Sequence, residues 1–246
     1  MAIERLSRLR QSFSRIGELK QSISVRDVVT ILRSGIDFDE LASQMHYPFD
    51  NVHLLYGIAK LVSRVGHNID SYDVVISDEV SGRLLSLFLS RIINNRRHAQ
   101  NTRSIRTYFL VKNEYDETEQ YVLPDNLKKG LLVTEVVASG RSMRILRNML
   151  SNSNIELDMA CLSFGVDSIA SFTGSKIFYV DKHQSGNLLH GSLVPTGVIK
   201  PSGENLLHPV RSTRYKREDV INARHDIFQL AEKFAILLPP LPPVKS

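Results

Sequence analysis

Only one of the 246 residues, Cys161, is a cysteine, and the eight histidines are scattered. No internal disulfide can form and no His/Cys group has zinc-ligand spacing, which excludes a stapled secreted module and a zinc finger and points to a reducing compartment. No run of about 18 apolar residues occurs, so no membrane span is expected. The N-terminus lacks the short apolar core and small-residue cleavage site of a secretory signal, and the expected location is the cytoplasm. Net charge is small as well: 31 Lys and Arg against 26 Asp and Glu give a formal +5. That permits phosphate-rich partners and is too mild to argue for nucleic acid. No internal repeat is found. What is present is an ordinary globular balance, 42% hydrophobic and 23% charged, on a chain long enough to bury a core without staples.

The first seventy residues read as helical. Leu6, Leu9, Phe13 and Ile16 recur at spacings of three and four among Arg5, Arg8, Arg10 and Arg15, the pattern of a basic amphipathic helix. Such a helix docks on its own domain or a second subunit; Glu4 and Glu18 weaken the alternative of membrane-surface or organelle targeting. Ser24 or Asp27 can cap a helix through Leu32, Asp37 or Asp39 another, and Asp50 a third that runs to about Val65 and stops at Gly66.

The texture changes at Ser71. Tyr72 to Ser77 is a short β-branched run of the buried parallel type, followed by a small-residue turn and a helical pattern from Arg83 to Asn94. Further strands are expected over Arg106 to Lys112, Leu131 to Val137, Leu157 to Phe164 and Lys176 to Val180, with a helix reaching about Leu150 after the third of these five. Alternation of this kind implies an α/β fold, a mostly parallel sheet flanked by helices. The acidic stretch between residues 112 and 130 is too long for a tight connection and resembles a mobile functional loop. A last helix spans Glu218 to about Ala235, burying Val220, Ile227, Leu230 and Phe234. The expected organisation is a helical region over 1–70, an α/β core over 71–181, an extension with a helix over 182–238 and a proline-rich tail over 239–246. Pro240 to Lys245 matches a P-x-x-P-x-K ligand pattern, although a plain polyproline terminus is the favoured reading.

The segment Leu131 to Met143 carries the most chemistry. A buried strand delivers Glu135 at its carboxyl end, where open α/β sheets bind ligands. Ala138, Ser139, Gly140, Arg141 and Ser142 then open a helix. Its backbone N–H groups, the two hydroxyls and a glycine that permits close approach form a phosphate cradle, with Glu135 suited to accept from sugar hydroxyls. Upstream, Asp78, Glu79, Ser81, Gly82 and Arg83 form a second small-residue turn at a strand end. Asp78 and Glu79 could hold magnesium through water or serve as ordinary caps. Seven bases and no acid lie between Glu79 and Glu114: either a solvated face, a phosphate-attracting flank or a contact with an acidic partner. No aromatic interleaving favours nucleic acid. His183 and His190 follow the last strand, where a base-binding wall could form, but surface histidines are the readier account.

These motifs resemble the type I phosphoribosyltransferase family, whose signature is an apolar strand, two acids, two apolar residues and a Thr/Ser-Thr/Ser-Gly-x-Thr/Ser loop. Residues 130–142 fit at ten of thirteen positions. The departures are Gly130 in the first apolar slot, Thr134 for the first acid, and Glu135 where Asp is usual. Ile76 to Arg83 lies where that family binds pyrophosphate, and Val111-Lys112-Asn113-Glu114 is similar to the Val-Arg-Lys-Glu of orotate phosphoribosyltransferases. The resemblance covers residues 71–181. It implies Mg²⁺ with phosphoribosyl pyrophosphate, a homodimer, no dedicated protein metal site, and transfer of the phosphoribosyl group to a nitrogen heterocycle with release of pyrophosphate. Glu135 and Lys112 would be the catalytic residues, with Thr134, Glu135 and residues 138–142 on the ribose phosphate. The basic segment 91–106 is where a subunit contact is expected. Thr134 and the acidic loop with Asp116, Glu117 and Glu119 depart from the catalytic pattern. They motivate the alternative, a non-catalytic regulatory protein that binds a ribose phosphate or nucleotide.

Overall fold

The structure, a computed structural model, describes residues 25–78, 82–110, 120–137, 139–165, 174–181, 198–199, 210–211 and 216–241. Three helices come first: α1 (Val25–Arg33), α2 (Phe38–Ser43) and α3 (Val52–Val65). Asp37 caps α2, its Oδ1 accepting from Glu40 N at 3.0 Å. The cap of α3 is Asn51 rather than Asp50. Asn51 is extended and its carboxamide oxygen accepts from the N–H groups of His53 and Leu54 at 2.9 and 3.4 Å, which supplies the orphan donors of the first turn. Gly66, at φ +38°, ends α3 as expected.

The core alternates strand and helix: β1 (Val74–Asp78), α4 (Arg83–Ala99), β2 (Arg106–Leu110), β3 (Lys129–Val133), β4 (Val136–Val137), α5 (Arg141–Met149), β5 (Glu156–Phe164) and β6 (Ile177–Asp181). A two-residue antiparallel pair follows, β7 (Val198–Ile199) with β8 (Val210–Arg211), and then α6 (Arg217–Phe234). Every pairing in the large sheet is parallel. The six strands are flanked by helices, the α/β architecture that the alternating pattern implies.

The expected single strand Leu131 to Val137 is broken. β3 pairs β5 with Val133 opposite Ala160, and β4 pairs the same edge with Val136 opposite Ser163. The register is unchanged across the break, so β4 continues β3, and the interruption falls on Thr134 and Glu135. Strand positions therefore run β2, β1, β3 with β4, β5, β6. Lys129 and Gly130, expected in the loop, belong to β3. A Cβ on Gly130 would lie 2.9 Å from Leu157, 3.1 Å from Ile155 and 3.3 Å from Ile76. Neighbouring side chains fill the space that an apolar residue in that slot would take.

Alternate strand residues feed two cores. Val75, Leu131, Val133, Ala160 and Leu162 face α3, α4 and α6, whereas Val74, Ile76, Leu132, Met159 and Cys161 face α5. α6 joins the first layer through Ala223, Ile227, Leu230, Ala231 and Phe234; Val220 is only half-buried. Phe234 lies 6.0 Å from the rings of both Phe38 and Phe88, so the N-terminal helices, the sheet layer and the C-terminal helix share one core. Asp226 fixes the same junction, accepting from His46 N at 2.6 Å and contacting His46 Nδ1 at 3.1 Å.

Candidate functional site

The chain leaves β1 for β2 on one side and returns to place β3 on the other. The carboxyl ends of β1 and β3 are therefore the topological switch point, the place where open α/β sheets bind ligands in a crevice. Asp78 ends β1. Ser77 stands opposite Val133, so Asp78 comes level with Thr134, the slot that lacks an acid. Sequence reasoning missed this placement, because register is fixed only when the two strands pair. Asp78 turns the chain into α4, its Oδ1 accepting from Gly82 N at 2.7 Å.

Gly82 is demanded by close approach. A Cβ there would fall 2.1 Å from Ser77 Oγ and 2.4 Å from the Val133 carbonyl oxygen, so the start of α4 rests directly on the ends of β1 and β3. Arg83 follows with its guanidinium 4.4 Å from the centre of the Phe109 ring.

Glu135 sits in the break between β3 and β4. Its carbonyl oxygen accepts from both Leu162 N and Ser163 N, at 2.9 and 3.0 Å, which anchors the bend to β5. The side chain is 1% exposed, and neither carboxylate oxygen has a hydrogen-bond partner among the described residues. Burial pushes its pKa well above the usual glutamate value, and the nearby charge of Asp78, itself 4% exposed, adds to the shift. Two buried acids from adjacent strands therefore lie at the switch point, one anchored by a backbone donor and the other without a partner among the described residues. An unmatched buried carboxylate is expensive unless something supplies donors or a cation.

Beyond it, Ser139 is exposed, Ser142 half-buried and Arg141 exposed. Gly140 is the N-cap of α5, at φ +73°, a left-handed conformation that glycine adopts freely, and it brings no side chain to the first turn. Ser139 Oγ accepts from Arg141 N at 3.4 Å, and the Arg144 guanidinium donates to the Ser139 carbonyl at 3.3 Å. Gly140 itself caps none of the first-turn N–H groups, and the N–H groups that follow Arg141 suit an anion. Of the expected site residues, Asp78, Gly82, Arg83, Thr134, Glu135, Ser139, Gly140, Arg141 and Ser142 all lie at this end of the sheet. Glu79, Ser81, Lys112 and Ala138, along with His183 and His190, lie outside the described residues.

Part of the basic block turns inward. The Arg96 guanidinium donates to both oxygens of Asp70 at 2.7 and 2.6 Å and to the Pro239 carbonyl at 3.0 Å. Arg97 donates to the Tyr72 carbonyl at 2.6 Å, and Arg91 covers the Phe228 ring. Within the segment 91–106, where a subunit contact is expected, these three arginines make contacts with their own chain. Among the described residues no cluster of three or more His, Cys, Asp or Glu could hold a metal ion, and no helix is long and apolar enough to cross a membrane.

Fold and site together define a doubly wound α/β protein with two buried carboxylates at its switch point. No protein-family model matches the chain, and comparison with curated proteins finds no match. Among solved structures, the chain is similar to a hypothetical protein from Neisseria gonorrhoeae with bound ppGpp, at 18% identity and TM-score 0.39, over 56% of this chain and 82% of that one. It is also similar to a purine phosphoribosyltransferase from Pyrococcus horikoshii, at 15% identity and TM-score 0.33, over 56% of this chain and 92% of that one.

Proposed function

We propose that the crevice binds a phosphorylated ribose, either phosphoribosyl pyrophosphate or a nucleotide. One observation carries this reading: a fully buried glutamate with no hydrogen-bond partner among the described residues, at a strand end, six residues before Arg141 opens α5. Sugar hydroxyls would donate to Glu135, which supplies the partners it lacks. The 5′-phosphate would lie on Ser139 to Ser142, at the start of α5. The pyrophosphate would lie toward Gly82 at the start of α4. Asp78 stands level with Thr134 and makes up the second carboxylate from the neighbouring strand. Mg²⁺ would enter with the pyrophosphate oxygens, as the resemblance implies.

In the enzymic form, a ring nitrogen of a heterocycle attacks the anomeric carbon as its bond to pyrophosphate breaks. The electron pair leaves with pyrophosphate, and positive charge builds on the ribose. A second reading, binding without transfer, is favoured by the state of Glu135. Burial and the nearby charge of Asp78 both raise its pKa, which weakens the help that it can give a developing cation.

A thermal-shift and calorimetric screen with phosphoribosyl pyrophosphate plus Mg²⁺, ribose 5-phosphate and nucleoside phosphates tests the proposal. A binder at a hundredfold excess over Kd stabilises the fold by about 2.7 kcal/mol, and Glu135→Gln weakens that binder at least about tenfold, or ~1.4 kcal/mol. Binding without pyrophosphate release in the presence of any heterocycle selects the regulatory reading. No heat and no shift with any phosphorylated ribose overturns both.

A further inference from the structure

Helix α6 buries Ala223, Ile227, Leu230, Ala231 and Phe234, yet its opposite side is not purely polar. Ile221 is 53% exposed and Phe228 46%. They lie seven residues apart and so share one stripe two turns long. Arg217, Arg224 and Glu232, all exposed, complete that stripe at successive spacings of 4, 3, 4 and 4 residues. The Arg91 guanidinium of α4, 4.6 Å from the centre of the Phe228 ring, backs the ring at the surface.

The order along the stripe is basic, apolar, basic, apolar, acidic. When two such helices run antiparallel about a twofold axis, Ile221 of one copy meets Phe228 of the other and Arg217 meets Glu232. Symmetry makes each pair twice. Arg224 meets its symmetry mate at the axis with His225 beside it, the one like-charge contact of this register, whereas a parallel pairing has three. A parallel pairing would instead set Arg217 on Arg217 and Glu232 on Glu232, so the charges select the antiparallel register. An anionic membrane is a poor match, because the helix also carries Glu218, Asp219 and Glu232.

We propose that the exposed face of α6 is a self-complementary dimerisation surface whose partner is a second copy of this chain. It lies in the C-terminal extension and is independent of the crevice and of what the crevice binds.

Sedimentation velocity of the full chain across a concentration series tests it. The wild-type chain is expected to dimerise, and Ile221→Glu or Phe228→Glu to be monomeric with an unchanged far-ultraviolet circular dichroism spectrum. Arg217→Glu and Glu232→Arg each raise the dissociation constant by about tenfold, since the lost pair occurs twice. The double variant, which swaps the two charges, returns it to the wild-type value. A monomeric wild-type chain, a dimer indifferent to Ile221→Glu and Phe228→Glu, or a double variant as dissociated as the singles would each overturn the proposal. The Ile221 variant leaves the Arg91 contact with Phe228 in place, so a result at Phe228 alone is read as damage to that contact and counts against the surface.

Discussion

The two ends of the sheet each bury an acid to the same extent, and treat it in opposite ways. At the amino end Asp158 is 1% exposed, as Glu135 is at the carboxyl end. Asp158 is fully matched: Tyr72 Oη donates at 3.0 Å, Lys176 N at 2.9 Å, and Lys129 Nζ lies at 3.3 Å. Lys129 also reaches Glu156 at 3.0 Å, its partner across the β3–β5 register. Nearby, Asp73 accepts from the backbone N–H groups of both Lys128 and Lys129 at 3.0 Å. Glu135 has none of this among the described residues. A buried charge with its donors in place fastens the fold, whereas one without them costs stability and is retained where something else arrives to satisfy it.

The largest test of this contrast is Asp158→Ala. It strands the Tyr72 hydroxyl and one contact of Lys129 in a buried setting, and it should lower unfolding free energy by about 3–5 kcal/mol, read by urea denaturation. A loss below ~1 kcal/mol, typical of a surface pair, would mean that the amino-end network does not fasten the sheet.

Gly82→Ala comes next. The added methyl meets Ser77 Oγ and the Val133 carbonyl well inside contact distance, so overpacking should destabilise by about 1–3 kcal/mol. The start of α4 should shift with it, weakening any ligand of the crevice. Unchanged stability would show that the helix start does not rest on the strand ends.

The smallest effect has the opposite sign. Glu135→Gln removes a group that prefers to be neutral in the fold, and it should stabilise the unliganded protein by ~1 kcal/mol at neutral pH. Because the folded pKa is raised, the folded state holds more protons than the unfolded state above the ordinary value of 4.5. Wild-type stability therefore falls as pH climbs from that value toward the raised one, and the glutamine variant lacks this decline. Parallel stability curves for the two proteins from pH 4 to pH 8 would remove the basis for calling Glu135 unmatched.

Much of the fold was legible because parallel strands announce themselves. Val74 to Asp78 and Glu156 to Phe164 are buried almost throughout, and a run buried on both faces must be apolar along its length. Gly66 and Asp37 were readable as helix ends because capping is local chemistry. Asn51 was passed over for the adjacent Asp50 because both residues can cap, and only the backbone turn decides which one does. The break at Thr134 and Glu135 falls inside Leu131 to Val137, which is apolar on both sides of it and so reads as one strand. The inward turn of Arg96 and Arg97 was hidden too, since their partners Asp70, Tyr72 and Pro239 lie far along the chain.

The sequence by itself determined the alternation of strands and helices, the acid at the end of the third core strand and the small-residue turn behind it, because periodicity and local turn chemistry act within a few residues. Tertiary structure alone decided that Asp78 stands level with Thr134, that Glu135 is buried without donors among the described residues while Asp158 has three, and which arginines face inward. Register, burial and charge pairing are properties of neighbours brought together from distant positions, and those neighbours exist only once the sheet has formed.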